Sequence, residues 1–299
     1  MTTCPICTAA HGWRIPHAID PAIEGWRREA GDDAPYYWTL CRVCANAYPS
    51  VPPNPQVLAK YWDANRRVSE LDDADGDAIW QRRVAMARVG AVRAYHVFAP
   101  LRQGAPGRML DVACGLGETV VEFARHGWRA EGIDVDARTK PFHDKLGISA
   151  RIGRIEDEAP QPAFDMLQIA HAIYFITDPM TFLMRARQEL TTDGVFCVIN
   201  SDFLAATDNS LPGYAHTFYP CAASMRFALA RAGLEPMFSR TWGGSIYMAA
   251  RRAEPKTIPV NARLIHAMYQ SKSLRHALIG RPNLALRGIV RRVLSGGGA

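Results

Sequence analysis

The chain has 299 residues, 48% of them hydrophobic and 21% charged, proportions that are ordinary for a folded globular protein. This length suffices for one large domain with a small appendage, and no apolar run of about 18 residues predicts a membrane-spanning helix. The net charge of +6 is uneven: from Pro255 onward there are eight Lys or Arg and no acid, whereas the first 254 residues carry 27 basic and 29 acidic residues. The main body therefore lacks the basic surface expected of a nucleic-acid-binding protein, and we expect no nucleic-acid partner.

Residues 1–55 form the first predicted unit and contain four of the seven cysteines but little helical periodicity. They begin without a basic stretch followed by an apolar core, so no export signal is predicted and we expect a cytoplasmic chain with reduced thiols. Two C-x₂-C pairs, Cys4/Cys7 and Cys41/Cys44, place two thiolates on each of two tight turns. Four such ligands complete a tetrahedral shell, which predicts a structural zinc site rather than a catalytic one.

Residues 56–106 form the second predicted unit, a helical linker that follows the Pro-rich stretch YPSVPPNP. Two segments in it, VLAKYWDANRR and AIWQRRVAMARVGAVRAYHVFAPL, are typical of helices and are separated by the turn-like LDDADGD.

Residues 107–252 form the third predicted unit, in which short apolar runs alternate with amphipathic stretches. This alternation is typical of an α/β fold with a parallel sheet. The last two predicted strands flank WGG and should form a hairpin, which makes the final strand antiparallel. The predicted strands are Arg108–Ala113, Arg129–Asp134, Ala150–Ile152, Phe164–Ala170, Gly194–Asn200, Leu234–Thr241 and Ser245–Arg251.

A glycine turn follows the first of these strands in the segment LDVACGLGETVV. A dinucleotide-binding turn has the pattern G-x-G-x-x-G, but Glu118, Thr119 and Val120 follow Gly117 and the third glycine is missing. Asp111 lies in the strand four residues before Gly115, where a carboxylate would repel a phosphate and attract an ammonium group. The turn therefore favours a ligand with a positively charged end over a pyrophosphate.

The segment LDVACGLG resembles the first motif of class I S-adenosylmethionine-dependent methyltransferases, usually D-x-G-x-G-x-G, with Ala113 in place of the first glycine. The resemblance implies a seven-stranded Rossmann-like sheet and a loop that cradles the methionine part of S-adenosylmethionine. It also implies that Asp134, at the end of GID, binds both ribose hydroxyls; the alternative is an aspartate that caps the next helix. The implied cofactor-binding residues are Asp111, Ala113, Cys114, Gly115, Gly117, Asp134, Val135, Ile155, Glu156 and Ala170.

Three later segments resemble the same family and are less regular. In ARIGRIEDEAP, Arg154 stands where the family often has an acid that contacts adenine, so Ile155 and Glu156 are the substitutes. FDMLQIAHAIYFITDP retains the family's His171, but Tyr174 and Phe175 replace its Glu-His pair. AHTFYPCAASMRFALARAGLE matches the lid and the helix that follows it. The N-terminal cysteines, with the strand and Pro-rich stretch after them, resemble a zinc ribbon that precedes a methyltransferase domain.

The catalytic base does not follow from the resemblance, because the Glu-His pair is absent. Methyl transfer to a hydroxyl is helped by a base that takes the departing proton, and histidine suits this role near neutral pH. The catalytic candidates are His171 after the fourth strand, His216 in the lid segment PGYAHTFYP, and Tyr174, which could orient substrate. The alternative for His171 and Tyr174 is a packing role, and the alternative for His216 is an exposed loop histidine.

The expected function is O-methylation of a sugar, a glycan end or a small metabolite, since no N/D-P-P-Y/F motif for planar amines follows the fourth strand. C-methylation of a nucleotide-linked sugar is the nearest variant, and an inactive cofactor-binding scaffold is the alternative of another class. Residues 253–299 are predicted to be a basic helical tail. The tail would either contact the inner face of an anionic membrane peripherally or pack on protein.

Overall fold

The structure is a computed structural model, and it describes residues 3–15, 21–64, 76–160, 163–205 and 214–275. Its first element is a small antiparallel sheet of β1 (Gly12–Ile15), β2 (Trp38–Cys41) and β3 (Ala47–Pro49), in that order. We call residues 3–15 and 21–49 the cysteine module. All four predicted zinc ligands lie in its turns or at the end of β2.

The long gap between the two cysteine pairs contains α1 (Pro21–Glu29), a helix that the sequence did not predict. Proline at its first position is compatible with a helix start, since its missing N–H would have no helical partner there. Arg27 is buried against the module and pairs with Asp32, Nε to Oδ2 at 3.0 Å. This buried ion pair stabilises a helix of only nine residues.

Two helices occupy the predicted linker, α2 (Pro55–Ala64) and α3 (Gly76–Phe98). The side chain of Asn54 caps α2, because its Oδ1 accepts hydrogen bonds from the backbone N–H of Gln56 at 2.9 Å and of Val57 at 3.5 Å. The rest of the first predicted helical segment, beyond residue 64, lies outside the described residues.

The main sheet has seven strands in the order β6-β5-β4-β7-β8-β10-β9. Strands β4 to β8 are mutually parallel, and β10 runs antiparallel to both β8 and β9. The predicted seven-stranded sheet and its antiparallel last strand are confirmed. The strands are β4 (Arg108–Val112), β5 (Arg129–Asp134), β6 (Ser149–Ile152), β7 (Phe164–Ala170), β8 (Leu190–Ser201), β9 (Leu234–Trp242) and β10 (Ser245–Arg252).

The largest boundary difference concerns β8, which begins at Leu190 rather than at Gly194. Leu190 pairs with Phe164, and the register then shifts before Met166 pairs with Val195. A Cβ at Gly194 would lie 2.8 Å from the carbonyl oxygen of Phe164, so the shift needs a glycine there. The sequence analysis predicted that the strand starts at Gly194, whereas this glycine marks an irregularity inside a longer strand.

Helices cover both faces of the sheet, and alternate strand residues face opposite layers. Phe98 of α3 and Phe123 of α4 pack with Met109 and Met166 on one face. The opposite face joins Leu110, Leu167 and Phe196 to residues of the cysteine module in one continuous core. The helices are α4 (Glu118–Arg125), α5 (Lys140–Leu146), α6 (Pro179–Glu189) and α7 (Ala222–Arg231).

The beginning of the basic tail forms α8 (Ala262–Arg275), which buries Ile265 and Tyr269. Its His266 ring stacks on Trp13 of the cysteine module, with centroids 4.5 Å apart. Residues 276–299, most of the predicted tail helix, lie outside the described residues. Among the helices that the structure describes, none combines the length and the apolar character needed to cross a bilayer.

Candidate active site

The predicted cofactor residues meet at one edge of the sheet. Strands β4, β5, β7 and β8 are parallel, so their carboxyl ends, at Val112, Asp134, Ala170 and Ser201, lie along the same edge. In open α/β sheets this edge is where ligands bind. The polar residues that the sequence placed after these strands are thus brought together by the topology.

The loop after β4 depends on three residues with left-handed backbone conformations, Ala113 (φ 56°), Gly115 (φ 54°) and Gly117 (φ 86°). Gly117 leads directly into α4, and a Cβ there would lie 2.2 Å from the Cδ1 of Ile148. Ala113, which replaces the family's first glycine, adopts the left-handed conformation that a glycine would take, and this costs about 1–2 kcal/mol for an alanine.

Asp134 ends β5 and fixes this loop from below. Its Oδ2 accepts the N–H of Gly115 at 2.7 Å, and its Oδ1 accepts the N–H of Asp136 at 2.8 Å. Each carboxylate oxygen has a further lone pair, so both can still accept from a pair of hydroxyls. The residue that caps the next turn is Asp136, whose side chain accepts the N–H of Arg138.

Asp111 lies buried inside β4, and its Oδ1 has no hydrogen-bond partner among the described residues. Burial raises the pKa of this carboxyl to about 8, so it is mostly neutral at pH 7. A buried acceptor of this kind suits an ammonium group, whose positive charge would favour ionisation of Asp111. The cofactor's amino-acid end therefore fits the residues present.

The residues predicted to hold the adenine lie at the ends of β5 and β6. Val135 is 68% exposed and offers an apolar surface beside Asp134. Ile155 is buried at the start of a short 3-10 turn, so only its backbone can face a ligand. The Oε1 atom of Glu156 lies 3.8 Å from the Nη2 atom of Arg154. Cys114 is nearly buried and Ala170 ends β7, so both contribute backbone and small side chains.

His171 follows β7 with a left-handed backbone (φ 53°), and its N–H donates to the Ile199 carbonyl at 2.6 Å. The residue is exposed at the surface, but the walls around the imidazole exclude enough water to lower its pKa below the usual value. The ring is thus neutral at physiological pH. A neutral, accessible imidazole at this edge can accept a proton.

The other two catalytic candidates form an aromatic cluster with Phe175 and Tyr219. The His216 ring lies 4.5 Å from Tyr174 and 4.7 Å from Phe175, centroid to centroid. Tyr174 is buried, and burial raises the pKa of its hydroxyl above the usual range, so it stays protonated. The structure brings Tyr174 and His216 together and gives both a packing environment.

The four cysteines of the module converge. Their sulfur atoms all lie within 4.8 Å of one another, with Cys4 and Cys44 at 3.5 Å and Cys7 and Cys41 at 3.4 Å. Tetrahedral zinc with Zn–S bonds near 2.3 Å separates sulfur atoms by about 3.8 Å. Thr8 and Ala45, the residues after each C-x₂-C pair, both have positive φ, and their backbone N–H groups donate to the backbone carbonyls of Cys4 and Cys41 respectively. The two turns share one geometry, which fits a zinc ion.

Three residues near the cofactor loop were missed by the sequence analysis. His143 of α5 is buried, and its Nε2–H donates to the Gly115 carbonyl at 2.7 Å. Glu118, the first residue of α4, is buried, and its Oε2 atom lies 3.7 Å from the Nε atom of Arg88 in α3. Gly132 leaves room for Cys114, whose Sγ would lie 2.6 Å from a Cβ there. Only Gly132 had a signal, as part of the GID segment; the other two depend on packing between elements.

Comparisons with known proteins agree with this geometry. The sequence profile of a methyltransferase domain family matches residues 81–278. A ribosomal RNA small subunit methyltransferase C from Alcanivorax borkumensis is 50% identical over 34 residues, 11% of this chain and 10% of that protein. A ubiquinone biosynthesis O-methyltransferase from Rhodopseudomonas palustris is 27% identical over 150 residues, 48% of this chain and 57% of that protein.

The chain thus spans between a tenth and about 57% of the length of these two relatives. A solved structure, the 1,6-didemethyltoxoflavin-N1-methyltransferase of Burkholderia thailandensis with bound S-adenosylhomocysteine, is 17% identical with a TM-score of 0.49, over 74% of this chain and 97% of that one. Since the family profile covers most of the chain, and the motif residues meet at one sheet edge, this chain belongs to the methyltransferase domain family.

Proposed function

We propose that this protein transfers a methyl group to a hydroxyl of a small-molecule or glycan acceptor, with His171 as the base. The observation that carries the proposal is a neutral, exposed imidazole at the carboxyl edge of β7, on the sheet edge shared by Asp111 and Asp134. S-adenosylmethionine supplies the electrophilic methyl group.

The roles of the residues follow from their hydrogen bonds. Asp111 would hold the ammonium group, and Asp134 would accept from the ribose hydroxyls while it fixes Gly115. As the acceptor oxygen forms its bond to the methyl carbon and the carbon–sulfur bond breaks, a ring nitrogen of His171 would take the hydroxyl proton. Tyr174 and His216 would shape the acceptor side through their aromatic cluster.

The cysteine module enters the proposal as a structural zinc site. Cys4, Cys7, Cys41 and Cys44 would supply all four ligands, which leaves no coordination position for substrate. The ion would stabilise the cysteine module, whose sheet has only three strands.

A peripheral membrane contact through the tail is a separate part of the proposal. Leu264 and Met268 are exposed on α8, each directly before one of the buried residues Ile265 and Tyr269. Together with the eight basic residues of the tail, they suit an anionic lipid surface. Co-sedimentation with anionic vesicles should be stronger for the full chain than for a chain ending at Arg252; equal partitioning would exclude the contact.

The enzymatic proposal is tested in two steps. Titration calorimetry of the full chain with S-adenosylhomocysteine should show one site. Labelled S-adenosylmethionine with a panel of sugars, phenols and amines should then label alcohols in preference to amines. A chain that binds no S-adenosylhomocysteine would be a scaffold rather than an enzyme, and labelling confined to amines would contradict the hydroxyl acceptor.

A further inference from the structure

A cavity of about 210 Å³ lies where the cysteine module, the Pro-rich stretch and the lid segment meet. Its walls include Pro5 and Tyr48 from the module, Pro53 from the Pro-rich stretch, Leu58 from α2, Phe175 from the turn after β7 and Ala215 from the lid segment. None of the residues predicted from the sequence to bind cofactor lines it. The cavity is therefore distinct from the cofactor loop.

The chemistry of the lining is uniform. Its remaining members are prolines and threonines, and none of the lining residues that the structure describes is charged. A larger cavity of about 650 Å³ nearby contains Asp178, Arg231 and Lys256 in its lining and shows the contrast. Prolines and aromatic rings present flat apolar surfaces, so the smaller cavity suits an uncharged ring, and its described lining offers no cation to a phosphate or a carboxylate.

The cavity wall adjoins the aromatic cluster that contains Tyr174 and His216. Phe175 lines the cavity and its ring contacts His216. Ala215 and Thr217 flank His216, and Thr217 donates from its N–H to the Tyr174 carbonyl at 2.8 Å and from its Oγ1 to the Ile176 carbonyl at 2.7 Å. These bonds tie the lid wall to the turn that follows His171.

The size of the cavity limits its occupant. Sites for drug-sized ligands enclose about 300–1,000 Å³, so this smaller one holds a group of one or two rings rather than an extended glycan. Because the cysteine module contributes one wall, binding there depends on the module being in place.

We propose that this cavity binds an uncharged, ring-bearing part of the acceptor, so that the substrate is a neutral aromatic or alicyclic alcohol rather than a nucleotide-linked sugar. The inference rests on the proposed function and names the acceptor class for the same site. It also makes the cysteine module a part of the acceptor site.

The test uses 1-naphthol, an uncharged two-ring alcohol, and the full chain saturated with S-adenosylhomocysteine. Equilibrium dialysis should show one bound 1-naphthol per chain, and an excess of UDP-glucose should not displace it. Thr177 lines the cavity and is exposed, so Thr177→Trp should fill the space and Thr177→Asp should place a charge there. Each should weaken 1-naphthol binding at least tenfold.

Thr257→Trp is the matched control, since Thr257 is also exposed but lines the larger, charged cavity. It should bind 1-naphthol as the wild type does, and all three variants should bind S-adenosylhomocysteine within twofold of it. Absence of 1-naphthol binding, displacement by UDP-glucose, or unchanged binding in Thr177→Trp would each overturn the inference. Failure to bind S-adenosylhomocysteine at all would instead overturn the proposed function, so the two failures are distinguishable.

Discussion

The cysteine module and the cofactor loop use the same backbone device for different ends. Each needs a tight turn with a residue in the left-handed region, and each places an alanine there with the same φ of 56°, Ala45 in the module and Ala113 in the loop. The turns differ in what they leave unsatisfied. In the module, four sulfur atoms converge on one another. Beside the loop, Asp111 of β4 has a buried oxygen without a hydrogen-bond partner among the residues that the structure describes.

This difference distinguishes a permanent ligand from an exchanging one. Four converging thiolates enclose an ion on all sides, so the ion can be part of the fold. The loop instead lies on an open sheet edge, and under the proposed function it would bind through backbone amides and two carboxylates, so that its ligand could leave after each reaction. We expect damage to the first region to reduce stability and damage to the second to reduce affinity or rate.

The largest effect should follow from Cys41→Ser, which removes one of the four converging sulfur atoms. We expect the variant to lose its zinc and more than about 4 kcal/mol of unfolding free energy, since loss of a metal site is among the most damaging changes. Zinc content by atomic absorption and denaturant unfolding measure this. Cys197→Ala, at a buried cysteine outside the cluster, should retain the metal. Full zinc content in Cys41→Ser would contradict the role of Cys41 as a zinc ligand.

On the loop side, the largest change should come from His171→Gln, with a fall in kcat of roughly 10²–10⁴ and unchanged affinity for S-adenosylhomocysteine. The pKa of His171 lies below its usual value, so the base is neutral at pH 7 and is lost only as the pH falls through that lowered pKa. The wild-type rate should therefore be flat from pH 7 to 8 and decline below about 6.5. A rate that kept its acid limb in His171→Gln would assign the base elsewhere.

Asp134→Asn should weaken S-adenosylhomocysteine binding about 10- to 100-fold, because hydrogen bonds to a charged group contribute roughly 1.5–3 kcal/mol. Asp136→Asn is the matched control two residues away. Its backbone N–H still donates to Asp134, and its side chain faces Arg138 instead of the loop. Calorimetry should show near-normal affinity for that control. Equal losses in the two variants would mean that the carboxylate of Asp134 has no specific role.

A smaller effect is expected from His143→Leu, which removes the hydrogen bond to the Gly115 carbonyl. One buried hydrogen bond contributes about 1 kcal/mol, so cofactor KM should rise about fivefold with little change in kcat. His143→Gln retains an N–H donor and should recover most of the affinity. If Leu and Gln behave alike, His143 fills space and does not position the loop.

The smallest effects should come from replacing the two left-handed alanines by glycine. Ala113→Gly and Ala45→Gly each relieve strain of about 1 kcal/mol, which the added chain entropy of glycine partly offsets. Both variants should be slightly more stable in denaturant unfolding, with zinc content and S-adenosylhomocysteine affinity unchanged. A stability loss in only one of them would show that the two turns are not equivalent.

The sequence by itself predicted the elements whose signals are local. Alternating apolar residues located all seven strands of the main sheet, C-x₂-C spacing located both metal turns, and the Asp-Gly pattern located the cofactor loop. These signals work because a strand's period, a knuckle's two thiols and a glycine turn are each specified within about ten residues.

Only the tertiary structure decided which distant groups meet. His143 contacts Gly115 from another helix, and the proposed acceptor cavity takes its walls from four separate segments. No local pattern encodes such contacts, since each depends on chain segments packing together from far apart in the sequence. The sequence predicted a methyl donor site, and the packing of the cysteine module against the lid decided the shape of the cavity that we assign to the acceptor.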